Sequence, residues 1–412
     1  MGNKKIYIFA LAATGQGISG SDRIFIEFAR HWSKDYPVEI FVWEEGYEML
    51  KRQHLINSKF DPSTSLGTRI RNSKLKLRLS SMYPWKNFGF FVNYFARIME
   101  GVKLGLSIKL ENSPVTIVYS ASDFWMDCLP TFILKIRYQK IKWVAGWYQT
   151  APKPWMGFSE GVRNSRYRLS ALIYWLSQLP IRPIISRLAD NVLVNNEQEQ
   201  RIFPKLDEKK RVIVVLGAVD LRQINIWKSQ FEKLPKIYDA VFQGRFHPQK
   251  GVVELIDIWK LVIKKRGDAK LVIIGDGPLM ENVKIKIQKS KLENNVILTG
   301  YLFDGEEKYK IFSQSKLVVH PAFYDSGGMA AAEAMVFGLP CVGFNLSSYK
   351  YYYPKGMVKV RTGDLDSFAD KILELLSNEK LYKKISKEAT ELINYKWSWE
   401  YRSRQILKQM LE

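Results

Sequence analysis

Cysteine, histidine and long apolar runs are all scarce in this chain, and each shortage narrows what the protein does. Two cysteines in 412 residues, Cys128 and Cys341, cannot build a disulfide framework and point to a reducing compartment, the cytoplasm. They lack metal-ligand spacing, and so no metal is expected. The one D-x-D, in "GDLD" (363–366), opens a late helical pattern, where its acids read as an N-cap and first-turn pair. No apolar run approaches the roughly 18–20 residues that cross a bilayer. The start, "MGNKKIYIFALAATG", imitates a signal peptide, but a glycine loop follows at once and makes it a first strand. Gly2 is not followed by the hydroxyl residue that myristoylation prefers, since Ile6 stands there. Internal repeats and low-complexity segments are absent as well.

Positive charge, in contrast, is abundant and unevenly placed. The formal net charge is +22. Residues 51–188 hold 22 Lys and Arg against 6 Asp and Glu, a local excess of +16 that leaves +6 for the rest. General solubility does not require such concentration. It suits an anionic partner: a membrane surface, a nucleic acid or a phosphorylated substrate. No nucleic-acid-binding module is visible, so nucleic acid is not expected.

The length implies two domains, and 46% hydrophobic with 25% charged residues is a globular composition. Apolar strands alternate with helical periods, which predicts an α/β protein with parallel sheets. Strands are expected at 5–12, 38–43, 116–120, 142–147, 191–194 and 212–215, with a helix over 24–32. A second series runs through "YDAVFQGRF", "AKLVIIGDG", "NVILTGY", "KLVVHPA", "LPCVGFN" and "MVKVRTGD". Two such series imply two Rossmann-like domains. The expected division is an N-terminal, acceptor-side domain over 1–220 and a linker over 221–236. A C-terminal domain over 237–392 follows, with a last helix, 393–412, returning to the first domain.

Three stretches break the rhythm. "RIRNSKLKLRL" (69–79) alternates basic and apolar residues. Residues 81–110 are aromatic-rich and weakly amphipathic. Residues 163–187 set an apolar, Trp- and Tyr-bearing core between arginines. Basic flanks and aromatic belts on amphipathic helices fit a protein lying on an anionic bilayer; packing against the N-terminal sheet is the alternative.

Chemistry concentrates in three places. "ATGQGISGSDRIFIEF" (13–28) places Gly15, Gly17 and Gly20 as G-x-G-x-x-G between a strand and a helix, where backbone approaches an anion. Glu44 and Glu45 follow the second strand, as the ribose-binding acid of an NAD-dependent dehydrogenase does. "GRFHPQKG" (244–251) puts Arg245 and Lys250 at a strand-to-helix junction. A planar fork and a mobile point charge there suit a diphosphate, and stabilise one as it leaves. "HPAFYDSGGMAAAEAMVFGLP" (320–340) carries Asp325 and Glu333 around Gly327 and Gly328. Carboxylates accept paired bonds from vicinal diols, so Asp325 suits sugar hydroxyls and Glu333 a ribose.

Together these motifs resemble the family 4 glycosyltransferases, with the GT-B fold of two Rossmann-like domains facing across a cleft. The pattern is a G-R…K-G segment, then two carboxylates eight positions apart, then "AMVFGLP"; "LVIIGDGP" and "VILTGYL" are similar to the family too. The resemblance spans the chain and is strongest in its C-terminal half. It implies a retaining, metal-independent transfer of a hexosyl group from a GDP- or UDP-sugar, with no cofactor besides this co-substrate. It implies that Arg245 and Lys250 bind the donor diphosphate, that Glu333 holds the nucleotide ribose and that Asp325 contacts the donor sugar. Arg245, Lys250 and Asp325 thereby form the catalytic set. The backbone of Gly327, Gly328, Met329 and Ala330 would lie against sugar and phosphate, with Tyr301 and Leu302 also beside the donor. Gly20, in "ISGSDRIFIEFARHW", and Gly17 would face the donor phosphate, so the opening glycines approach a nucleotide sugar rather than NAD.

Two departures stand out. The family usually has Glu where Asp325 stands. Its usual histidine is replaced in "KWVAGWYQTAPKP" by Tyr148 or Gln149, expected on the acceptor side. The charge and aromatics of 51–188 extend the expectation to a lipid-linked or membrane-presented glycan acceptor and peripheral attachment to the cytoplasmic membrane face. A soluble transferase acting on a free sugar or sugar phosphate, and a non-catalytic polyanion-binding protein on a transferase scaffold, are the alternatives.

Overall fold

The structure, a computed structural model, describes residues 4–13, 18–56, 68–69, 74–80, 88–159 and 167–411. The chain forms two compact units: residues 1–151, 173–215 and 399–412 in the first, 152–172 and 216–398 in the second.

The first unit is built on an eight-stranded sheet of order β3-β4-β2-β1-β5-β6-β7-β8. Its strands are β1 (Lys5–Phe9), β2 (Val38–Trp43), β3 (Thr68–Arg69), β4 (Leu75–Ser80), β5 (Thr116–Ser120), β6 (Lys142–Trp147), β7 (Asn191–Val194) and β8 (Val212–Val214). All pairings are parallel except β3 with β4. Strands β5 and β7 are buried along their whole length, which is why they read as unbroken apolar runs rather than alternating ones. Two expectations need correction. The first strand stops at Phe9, and residues after it turn toward the glycine loop. The basic–apolar alternation of 69–79 is in large part the period of a half-buried strand: in β4, Leu75 and Leu77 are buried while Lys76 and Arg78 point out. Those leucines therefore serve the core and not a bilayer.

The second unit has a six-stranded, all-parallel sheet of order β11-β10-β9-β12-β13-β14. The strands are β9 (Tyr238–Gln243), β10 (Leu271–Ile274), β11 (Val296–Gly300), β12 (Ser315–His320), β13 (Cys341–Phe344) and β14 (Met357–Val360). The segment 221–236 carries a helix, Leu221–Phe231, capped by the Asp220 carboxylate and anchored by buried Ile224. Asp364 of "GDLD" caps the helix Leu365–Ser377 by accepting from Ser367 N, a structural use of that acid.

Both sheets have a point where the strand order reverses, between β1 and β5 in the first and between β9 and β12 in the second. Ligands of parallel α/β sheets bind beside such points, outside the carboxyl ends of the strands. The opening glycine loop follows β1; "GRFHPQKG" follows β9; the Asp325 loop follows β12.

Candidate active site

In the second unit two loops meet at the carboxyl ends of β9 and β12. After β9 the chain passes Gly244 and Arg245, makes a short turn over Pro248–Lys250, and enters the helix Val252–Lys265 at Gly251. Gly251 has a φ of 66°, and a Cβ there would sit 1.9 Å from the Pro321 carbonyl oxygen. Only glycine permits that approach. The Gln249 carbonyl accepts from Phe323 N at 2.8 Å. Lys250 is thereby fixed against the loop that carries Asp325.

The result is a tight ion pair. Lys250 Nζ lies 2.5 Å from Asp325 Oδ2. His320 Nε2 lies 3.3 Å from the same oxygen, and Asp325 Oδ1 accepts from Gly327 N and Gly328 N. Burial opposes the charge on Asp325, but the Lys250 ammonium and the His320 contact outweigh it. The carboxyl is held well below the usual range. Arg245 behaves differently. It is exposed and, among the described residues, has no ion pair. At this edge it is the cation left over for an anion.

The second carboxylate has its own partners. Glu333 Oε2 accepts from Lys308 Nζ at 2.7 Å and from Gln243 Nε2 at 3.0 Å. Lys308 is buried and also bridges to Asp304. Glu333 is the only charged residue of the alanine-rich helix Met329–Met335. Met329 and Ala330 open that helix, after Gly328 in the left-handed region at φ 61°. Behind the glycines stands "YKYYY". Tyr353 Oη donates to the Gly328 carbonyl at 2.6 Å, and a Cβ on Gly327 would reach 2.7 Å from the Tyr352 ring. Tyr301 and Leu302, half-buried, follow β11, and the Tyr301 ring lies edge-on to Phe303. Sequence reasoning missed Gln243, Lys308, Tyr352 and Tyr353. Only Lys308 had a local signal, the Asp304 four residues before it.

The first unit brings fewer of the expected residues into view. Gly17, like Gly15, lies outside the described residues. Gly20 opens the helix Gly20–Trp32, which Ser19 and Asp22 close with a reciprocal capping box. Glu45 is paired with Arg97 at 2.5 Å, and Arg97 donates to the carbonyls of Leu11 and Ala13. The Tyr148 phenol is buried and bonded to Tyr119 Oη at 2.5 Å; burial raises its pKa. Gln149 accepts through its carbonyl from Tyr174 Oη and Gln178 Nε2. Its own amide nitrogen is buried with no partner among the described residues.

Comparison with known proteins agrees with the fold. Residues 223–392 match the family described as glycosyl transferases group 1. The chain is 31% identical over 164 residues to a poly(ribitol-phosphate) alpha-N-acetylglucosaminyltransferase of Staphylococcus aureus, covering 38% of this chain and 32% of that protein. It is 26% identical over 242 residues to a poly(glycerol-phosphate) alpha-glucosyltransferase of Bacillus subtilis, covering 55% and 32%. The chain thus spans about a third of the length of these relatives. The fold is similar to sucrose-phosphate synthase of Thermosynechococcus elongatus, with a TM-score of 0.71 at 14% identity over 98% of both chains. It is also similar to S. aureus TarM solved with fondaparinux, alpha-GlcNAc-glycerol and UDP, with a TM-score of 0.68 at 16% identity over 99% of both. Residues 223–392 thus match the group 1 glycosyl transferases, in a chain with the GT-B fold of two Rossmann-like domains.

Proposed function

We propose that this chain transfers a hexosyl group from a GDP- or UDP-sugar, with retention and without a metal, to a lipid-linked or membrane-presented glycan. The observation that carries the donor side is the placement of Arg245 and Lys250 after β9, and Asp325 and Glu333 after β12. The two strands are neighbours on either side of the switch point. Two cations suit the diphosphate and a carboxylate suits the ribose diol. Asp325 completes the catalytic set through Lys250, which it holds, and through the sugar. Gly20 opens the helix that follows β1, at the first unit's switch point, where the donor phosphate would lie.

In the reaction the bond between the anomeric carbon and the phosphate oxygen breaks, and its electrons leave with the diphosphate. The Arg245 and Lys250 charges stabilise that developing anion. The acceptor hydroxyl attacks from the same face and gives its proton to the departing phosphate. No side-chain base is needed, only positioning.

The acceptor side rests on an exposed apolar surface. The helix Gly89–Ser107 packs one face closely on the helix Trp125–Arg137: a Cβ on Gly105 would come within 3.0 Å of Pro130. Its other face leaves Phe91 82% and Phe95 62% exposed, with Met99 and Leu106 further along. The helix Arg168–Gln178 exposes Leu169, Ile173 and Leu176. Among the described residues no helix is long and apolar enough to cross a membrane. Apolar rows on surface helices within the +16 stretch fit peripheral attachment to an anionic, cytoplasmic leaflet.

A second reading uses the same charge differently. The relatives' names specify polyol-phosphate polymers, and a polyanionic acceptor also suits an excess of +16 over residues 51–188.

Thermal-shift screening against UDP, GDP, ADP, NAD and their sugar conjugates tests the donor side. A ligand of the native state raises the melting point by mass action. A rise with one nucleoside diphosphate and its sugar, unaffected by chelator, is expected. A rise with NAD alone would restore the dehydrogenase reading, and no rise at all leaves a polyanion-binding scaffold. Co-flotation with anionic liposomes at low salt tests the membrane side; a protein that stays at the bottom of the gradient is not attached to the bilayer.

A further inference from the structure

Lys308 is an unusual residue to bury. Its side chain is 1% exposed, yet it is an ammonium shared by two carboxylates from different elements. One is Asp304, in the loop 301–305 that follows β11 and contains Tyr301 and Leu302. The other is Glu333, on the helix that follows β12, at 2.7 Å. The ammonium also lies over the Tyr309 ring at 5.2 Å and the Phe312 ring at 5.9 Å. These rings and the two carboxylates limit where it can move.

Desolvating a lysine is costly, and a buried ion pair offsets that cost only with good geometry. An apolar residue would join these elements at less expense. What an apolar residue cannot do is fix the direction of the Glu333 carboxylate. Lys308 and Gln243 both bond to Oε2, so that one oxygen is held from two sides and the plane of the carboxylate is set. A carboxylate that takes two neighbouring hydroxyls must be set in this way, because both bonds depend on its rotation.

We infer that Lys308 is a positioning residue for nucleotide recognition. It orients Glu333 toward the ribose diol and ties that carboxylate to the 301–305 loop, so that the loop carrying Tyr301 and Leu302 and the ribose-side carboxylate form one rigid element. The inference rests on the proposed role of Glu333 as the ribose carboxylate. Without Lys308, Asp304 and Glu333 lose the cation between them and their negative charges push Glu333 out of line.

The test is calorimetric titration of the full chain with UDP and GDP, each beside its 2′-deoxy counterpart. The wild type prefers the ribonucleotide. In Lys308→Met that preference falls about tenfold, the loss of roughly one charge-assisted hydrogen bond. In Arg245→Ala both forms weaken by the same factor and the preference stays. Should Lys308→Met fail to fold, Lys308→Arg carries the test: the charge remains, the geometry changes, and the preference falls by less. A purely structural salt bridge would weaken ribo and deoxy forms alike. A wild-type preference kept in both folded variants overturns the inference and leaves the transferase reading intact. A wild type that binds none of the four nucleotides overturns both.

Discussion

Carboxylates stand near the carboxyl edge of both sheets, and the two units treat them in opposite ways. In the second unit each faces a lysine: Asp325 faces Lys250 and Glu333 faces Lys308. In the first unit Glu45 is paired with Arg97, but Asp123, Asp127 and Glu199, as buried as Asp325, face neutral donors. Gln178 donates to Asp123, Ser122 and Ala12 N to Asp127, and Thr150 to Glu199. Among the described residues none of these three has an ion pair. Burial therefore dominates, raising Asp123 to about 6 and Asp127 to about 7, with Glu199 also raised. The second unit pairs Asp325 and Glu333 with lysines; the first uses these three acids as hydrogen-bonding struts that tie loops to the sheet. An acidic residue in such a loop acquires its role from the cation beside it, and that cation can lie far away in sequence.

The sharpest way to break the comparison is to remove the cations. Arg245→Ala is expected to lower transfer by about 10²–10³-fold, the usual cost of losing one preorganised electrostatic contact to the reacting charge. Its stability should stay within about 0.5 kcal/mol of wild type, because Arg245 is exposed. Lys250→Ala should lose a similar amount of activity and also destabilise the second unit by roughly 3 kcal/mol, since it leaves Asp325 buried without the lysine that pairs it. Steady-state kinetics beside thermal melts separate the two. Equal melting points for both variants would mean that the 2.5 Å pair contributes nothing to folding.

The next effect in size belongs to the first unit's surface. Replacing Phe91 and Phe95 by serine removes two exposed rings, each contributing about 1.5 kcal/mol when buried in a bilayer. Liposome affinity should fall roughly a hundredfold, with little change in stability or in transfer to a soluble acceptor. Liposome binding that survives the double substitution moves the attachment to the helix Arg168–Gln178 or to charge alone.

These contrasts also explain what was legible in the sequence. The strands at 38–43, 116–120, 142–147 and 191–194 fall where the apolar runs predict, because parallel strands covered on both faces need such runs. The half-buried β4 was harder to read, since its alternation is also that of a basic amphipathic segment. In the site, Arg245, Lys250, Asp325 and Glu333 stand out because their spacing is set by the strand-to-helix turns that hold them. Gln243, Lys308 and Tyr353 act on those residues from elsewhere in the chain. Lys308 reaches Glu333 across 25 residues, and Tyr353 reaches Gly328 across the same separation. No local pattern encodes such contacts.

A pH scan sharpens the comparison further, because the two sets of acids carry opposite signs. Asp325 is lower in the folded chain than in the unfolded one. Its stabilising contribution is present above the ordinary carboxylate pKa and is lost as pH falls through the folded value. Asp123 and Asp127 are higher in the folded chain. Their contribution is complete below the unfolded value of about 4 and is lost as pH rises through about 6 and about 7. Hydrogen exchange followed segment by segment should therefore show the first unit loosening between about pH 4 and pH 7 and the second only in acid. Asp127→Asn should flatten the first response. Loosening of both units in the same direction would contradict the contrast.

The smallest effect decides which residue stands in for the family's histidine. The Tyr148 hydroxyl is buried against Tyr119, so Tyr148→Phe removes one internal hydrogen bond. It should cost about 1 kcal/mol of stability and leave the KM for acceptor unchanged. The Gln149 amide nitrogen has no partner among the described residues and sits in the loop that follows β6, at the carboxyl edge of the sheet. Gln149→Ala should raise the acceptor KM several-fold without changing donor affinity, because an unsatisfied buried donor loses nothing in the free protein and its bond in the complex. If Tyr148→Phe instead raises the acceptor KM and Gln149→Ala does not, the phenol leaves Tyr119 when acceptor binds. The edge of the first sheet would then be as rearrangeable as that of the second, with its 2.5 Å ion pair, is fixed.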